Sequence, residues 1–171
     1  MTADTEKDHP HDVVSDVSFA ILTISSSRTL ETDESGDALA ATIEDHDMTV
    51  AVRELVGDDP DAIAATVEAL AERDDVDTII TSGGTGLSPE DVTVEALAPR
   101  FDRAIPGFGE LFRYLSYEDI GPRALLSRAF GGVIDGVPVF CLPGSKQGAT
   151  FGTEELVLPT IGHIIGHVQE D

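Results

Sequence analysis

Basic side chains are scarce in this chain. Ten Lys and Arg stand against 33 Asp and Glu over 171 residues, a formal net charge of −23, and only Lys7 and Lys146 are lysines. Nucleic acid and anionic membrane surfaces are poor partners for such a charge, because they repel it. Cysteine occurs once, at Cys141 inside an apolar run. No internal disulfide can form, and the pattern marks a buried strand residue in a cytoplasmic protein. No stretch approaches the roughly 18 consecutive apolar residues of a membrane-spanning helix. The opening residues, MTADTEKDHPHD, lack a basic n-region and an apolar h-region, so no secretory leader is expected there. No GK[ST] follows the glycines, which excludes a P-loop, and no GxGxxG opens a dinucleotide fold. Neither a Ser-His-Asp nor a Cys-His arrangement is present. His163 and His167 stand four apart with no acidic or Cys partner in the pattern, which favours a structural or surface role over metal binding.

What is there fits one domain. Hydrophobic residues make up 41% of the chain, enough to fill a core at this length. Residues 1–15 carry no periodicity and are expected to form a disordered acidic tail, with residues 16–171 as the single folded domain. Carboxylates at this density repel one another at low salt. At molar salt the Debye length falls to about 3 Å, so the composition points to a salt-rich cytoplasm.

Hydrophobic periodicity alternates between strand and helix. Val17–Ile24 is a nearly continuous apolar run, as in a parallel strand covered on both faces. A helix is expected over 35–45, a strand over 48–56, and a helix from Pro60 to Arg73 with Ile63, Val67, Leu70 and Ala71 on one stripe. Short helices follow at 94–101, 110–117 and 122–127. Ala129–Ile134 and Val137–Leu142 flank Asp135-Gly136, a strong hairpin signal. The rest reads as helix to Val168 with a break near Pro159. The expected architecture is a three-layer αβα fold on a mostly parallel sheet with one antiparallel hairpin. Ligands of such folds bind beyond the carboxyl ends of the strands. The loops 25–36, 82–91 and 143–146 share that end, and 57–60 lies near it.

The densest signal is Asp77–Ala96. A β-branched run, Thr78-Ile79-Ile80-Thr81, leads into Ser82, Gly83, Gly84, Thr85 and Gly86, with Asp91, Val92 and Thr93 shortly after. Glycines this dense at a strand end let successive N–H groups converge on one point, as in a phosphate nest. They equally suit a tight strand–helix turn with Asp91 or Thr93 as a cap. Asp59 before Pro60 has the same two readings, helix cap or ligand, and Ser145 before the last helical stretch does too. A carboxylate beside a phosphate nest is electrostatically awkward unless a divalent cation joins them.

Taken together, Ser82-Gly-Gly-Thr-Gly86, Asp91-Val-Thr93, Glu95-Ala96, Pro106-Gly-Phe-Gly-Glu110 and Leu142-Pro-Gly-Ser145 resemble the signature of the MogA/MoaB family of molybdenum cofactor biosynthesis. The resemblance runs from about Val17 to the C-terminus. Asp33-Glu-Ser-Gly, Leu87-Ser-Pro-Glu and Tyr117-Glu-Asp-Ile-Gly are closer to its MoaB branch. It implies molybdopterin adenylyltransferase activity, using ATP and Mg²⁺ to give adenylylated molybdopterin and pyrophosphate. The alternative is a carrier that binds molybdopterin without turnover. It also implies that Asp59 and Asp91 are catalytic and hold Mg²⁺, with Asp58 as the neighbouring candidate. Ser25, Ser82, Gly83, Gly84, Thr85, Gly86, Thr93, Pro143, Gly144 and Ser145 would contact substrate, and Lys146 reads as a solvated surface residue. Assembly as a homotrimer or hexamer, and hand-over of product to a molybdate insertase, belong to the same expectation.

Overall fold

The computed structural model describes residues 13–169, so most of the expected acidic tail lies outside the described residues. Six strands form one sheet: β1 (Ser18–Ile24), β2 (Thr49–Val56), β3 (Thr78–Ser82), β4 (Arg103–Ala104), β5 (Phe130–Ile134) and β6 (Val137–Leu142). Their order is β2-β1-β3-β6-β5-β4. The pairs β1–β2, β1–β3 and β3–β6 are parallel, and β5 runs against both of its neighbours. Among the described residues the α-helices are α1 (Glu34–Glu44), α2 (Pro60–Ala71), α3 (Thr93–Leu97), α4 (Pro106–Ile120), α5 (Lys146–Gly152) and α6 (Leu158–Val168).

Strand alternation builds the three layers. Phe19 and Ile21 of β1 face one cluster with Leu39 and Ile43 of α1, Phe108 and Phe112 of α4, and Ile161 and Ile165 of α6. Ala20, Leu22 and Ile24 face the other, with Ile63, Val67 and Leu70 of α2 and Ala96 and Leu97 of α3. A period of two thus sends one continuous apolar run to both faces of the sheet. Cys141 is fully buried in the second cluster, and burial pushes its thiol pKa up to about 12. Asp135 and Gly136 take positive φ, 49° and 79°, as a two-residue hairpin turn between β5 and β6 requires.

Three local features differ from the sequence expectation. Helix α4 begins at Pro106, not near Glu110. Pro106 supplies a preset φ in the first turn, and a Cβ at Gly109 would meet the Ala129 carbonyl at 2.4 Å, so that glycine serves close packing against β5. The two-residue β4 was not visible as periodicity. The last helical stretch does not break at Pro159, which sits in the first turn of α6. The irregularity is instead a π-helical turn over Thr153–Val157. It surrounds Glu155, whose carbonyl a proline four residues on can neither bond nor clear. Among the described residues no helix is long and apolar enough to cross a membrane.

Candidate active site

Strand order reverses between β1 and β3: from β1 the chain goes to β2 on one side, then to β3 on the other. A cavity of about 610 Å³ opens there, beyond the carboxyl ends of β1, β3 and β6. Ser25, Gly83, Gly84, Thr85, Gly86, Asp91, Pro143, Gly144 and Ser145 all line it. Its outer wall comes from α4 and the 3-10 turns of Gly121–Leu126, through Phe112, Ile120, Arg123 and Leu126. Periodicity marked helices over 110–117 and 122–127 but gave no sign that they wall the cavity, because that depends on how the chain folds back on itself.

The glycine loop is held from behind. Thr93 donates its hydroxyl to the Gly83 carbonyl at 2.8 Å and its N–H to the Gly84 carbonyl at 3.0 Å. The N–H of Arg128 donates to the Thr85 carbonyl at 2.8 Å, and its Nε donates to the Gly86 carbonyl at 2.8 Å. Neither Thr93 nor Arg128 lines the cavity. In a planar trans peptide the next N–H points opposite to the carbonyl. Four anchored carbonyls therefore turn the N–H groups of Gly84, Thr85, Gly86 and Leu87 away from the protein. Among the described residues those four N–H groups find no acceptor. Gly83 and Gly84 adopt φ of 116° and 70°, which a side chain would strain. A Cβ on Gly83 would lie 2.3 Å from the Ile24 carbonyl, so the loop also needs glycine for close approach to β1.

Three expected site residues sit outside the cavity wall. Thr93 is fully buried behind the loop, where its hydroxyl and N–H hold the carbonyls of Gly83 and Gly84. Ser82 is fully buried and donates to the Pro143 carbonyl at 3.1 Å, tying β3 to the neighbouring turn. Asp59 is exposed and caps α2, accepting from the Ala62 N–H at 2.8 Å. Asp58 takes the cavity position instead. Its carboxylate accepts from the Ser26 N–H at 3.0 Å, while its own N–H donates to the Ser26 hydroxyl at 2.9 Å. The reciprocal pair aims Asp58 inward and leaves Asp59 to the helix. Asp91 accepts from the Ser88 N–H at 2.9 Å. Lys146, His163 and His167 are exposed and do not line the cavity.

The Pro143–Ser145 turn is fixed in the same manner. Arg28 and Ser35 both donate to the Gly144 carbonyl, at 3.2 and 2.9 Å. Ser35 stands at the start of α1, whose cap is Asp33, 1% exposed and accepting from Gly36 N–H, Thr23 and Arg53. Ser145 in turn caps α5 through the Gly148 N–H. With Arg28 engaged on Gly144, Arg123 is the cavity cation with no hydrogen bond or ion pair among the described residues.

Charge at the cavity is mixed. Asp58, Glu90, Asp91 and Asp119 face Arg28 and Arg123, beside a nest of free N–H groups. The nest attracts an anion and the carboxylates oppose one, a conflict that a divalent cation resolves. Among the described residues no cluster of three or more His, Cys, Asp or Glu forms a metal cage. Two carboxylate donors fit Mg²⁺, which keeps several waters and takes its other ligands from substrate phosphates.

An α/β domain with a cluster of loop N–H groups and two aspartates in the cavity at its topological switch point belongs to the class of folds whose sites suit phosphorylated ligands. Comparison with known proteins narrows that class. Residues 20–163 match the family model described as a probable molybdopterin binding domain. Molybdenum cofactor biosynthesis protein B of Bacillus anthracis is 44% identical over 158 residues, covering 92% of this chain and 94% of that protein. A crystal structure of a molybdenum cofactor biosynthesis protein B superposes with a TM-score of 0.88 at 43% identity, covering 91% and 98% of the two chains. The tungsten cofactor synthesizing protein MoaB of Pyrococcus furiosus gives 0.79 at 31% identity over 92% and 99%. The chain belongs to the MoaB/MogA family of molybdenum cofactor biosynthesis proteins.

Proposed function

We propose that this protein binds molybdopterin and ATP and transfers the adenylyl group to molybdopterin. A terminal phosphate oxygen of molybdopterin attacks the α-phosphorus of ATP. The bond from that phosphorus to the bridging oxygen breaks, pyrophosphate leaves, and adenylylated molybdopterin remains. The observation that carries this reading is the row of N–H groups at Gly84, Thr85 and Gly86, without acceptors among the described residues, lining one cavity with Asp58 and Asp91. Phosphoryl-type transfer needs positioning and charge neutralisation more than a protein nucleophile, and the cavity supplies the first through fixed dipoles. Asp58 and Asp91 would hold Mg²⁺, which supplies the neutralisation between their charge and that of the phosphates. The N–H groups of Gly84 to Leu87 take phosphate oxygens, and Phe112, Ile120 and Phe151 give a ring system an apolar wall.

The exposed apolar residues of α4 and the following turns, Leu111, Tyr114, Tyr117, Ile120, Leu125 and Leu126, would be covered in a homotrimer. Product would pass to a molybdate insertase. Purified protein given ATP, Mg²⁺ and molybdopterin should release pyrophosphate in step with adenylylated molybdopterin. Molybdopterin binding without pyrophosphate release would replace the enzyme reading with that of a carrier.

A further inference from the structure

We infer that Arg128 is a positioning residue that sets the phosphate nest by holding, with one planar group, the last glycine of the loop and the backbone of Asp91 that follows it. This rests on the nest being the phosphate site. Nε of Arg128 donates to the Gly86 carbonyl at 2.8 Å, and one Nη donates to the Asp91 carbonyl at 2.9 Å. The other Nη donates to Glu95 Oε1 at 2.5 Å, and the backbone N–H of Arg128 takes the Thr85 carbonyl at 2.8 Å. Gly86 and Asp91 bracket the segment Leu87-Ser88-Pro89-Glu90. A guanidinium presents its donors in a rigid fork, so binding both carbonyls fixes the span between them.

The consequences reach two parts of the site. Anchoring the Gly86 carbonyl turns the Leu87 N–H to the opposite side of that peptide, and anchoring the Thr85 carbonyl does the same for the N–H of Gly86, which lines the cavity. Anchoring Asp91 through its backbone fixes a cavity-lining residue whose carboxylate accepts from the Ser88 N–H. Glu95 steadies the guanidinium from α3, and the Arg128 bond holds its carboxyl below the usual carboxylate range. Arg128 also follows directly on the outer cavity wall, whose last member is Ser127. It therefore joins that wall to the loop without itself lining the cavity. A role through the positive charge alone predicts something different: a lysine would serve as well.

Calorimetric titration of the full chain with pyrophosphate and Mg²⁺ separates these cases. Wild type should bind, and Arg128→Gln and Arg128→Lys should both lose about tenfold or more in affinity, because neither side chain presents donors in the fixed planar fork that spans the Gly86 and Asp91 carbonyls. Wild-type affinity in Arg128→Lys would overturn the inference, since charge and not the fork would then suffice. Unchanged affinity in both variants would overturn it too, while leaving the nest in place. No binding by wild type would overturn the nest itself and this inference with it. Should the Arg128 variants fail to fold, Glu95→Ala removes the exposed carboxylate that both Nη groups of Arg128 meet, at 2.5 and 3.4 Å, and leaves Arg128 in place. A loss of a few-fold there supports the inference, and unchanged affinity assigns Arg128 to stability alone.

Discussion

The hydroxyl of Thr93 donates to the carbonyl of Gly83 across ten residues of sequence, at 2.8 Å and with Thr93 fully buried. This one bond closes the glycine loop onto the start of α3, and the Thr93 N–H repeats the closure on Gly84 at 3.0 Å. The loop is thus held on the protein side and left unsatisfied on the cavity side. Thr93→Val keeps the shape and removes the donor, leaving a buried carbonyl unpaired at a cost of about 1–3 kcal/mol. Thermal unfolding should show that loss, and calorimetry should show weaker pyrophosphate binding. Thr93→Ser, which keeps the hydroxyl, should bind like wild type. Equal binding by all three proteins would show that the loop does not need this anchor.

The neighbours Asp58 and Asp59 should part company when each is changed. Asp58→Asn and Asp91→Asn remove cavity carboxylates and should cut turnover about a hundredfold, a few kcal/mol of barrier, at unchanged folding. Asp59→Asn should leave both turnover and melting temperature near wild type, because asparagine caps a helix as well as aspartate does. Steady-state pyrophosphate release reads this directly. Activity lost in Asp59→Asn and kept in Asp58→Asn would reverse the assignment.

Much of this fold can be read from the sequence, and the reasons are local. The run Phe19 to Ile24 dictates a strand covered twice, and Asp135-Gly136 dictates the hairpin. The glycine loop announces itself because positive φ at Gly83 and Gly84 demands glycine. Asp58 and Asp59 show where such reading stops. They are chemically identical and adjacent, and only the partners Ser26 and Ala62 decide which one turns inward. Arg128 carries no local mark at all, since its meaning lies in bonds to Gly86 and Asp91, 42 and 37 residues away. The helices from Phe112 to Leu126 are legible, but their place as the cavity's outer wall is not, for the same reason.

Subunit association should bury the apolar face of α4 and the turns after it. Leu125 is 83% exposed and Tyr114 64%, and Tyr117 and Leu126 on the same two elements are more than half exposed. Light scattering in molar KCl should give a trimer or hexamer, and Leu125→Asp with Tyr114→Asp should shift it toward the 18.1 kDa chain. Wild type that stays monomeric at all concentrations would refute the assembly.

Stability should rise with salt. At 0.1 M ionic strength the Debye length is about 10 Å, so the carboxylates behind a net charge of −23 repel one another. Raising KCl to molar levels shortens that range about threefold and leaves apolar burial unharmed. Surface pairs such as Arg73–Asp75 and Arg53–Asp37 weaken too, but ten basic residues cannot offset 33 acidic ones. Melting temperature should climb from 0.1 to 3 M KCl. A flat or falling curve would remove the case for a salt-rich cytoplasm.

The central claim is that the N–H groups of Gly84, Thr85, Gly86 and Leu87 receive phosphate. Backbone amide NMR of the ¹⁵N-labelled protein, titrated with ATP and Mg²⁺, tests it at those atoms. The account predicts that these four resonances move together, downfield and saturably, with Asp91→Asn weakening the response. Saturable shifts elsewhere with these four unmoved would contradict it.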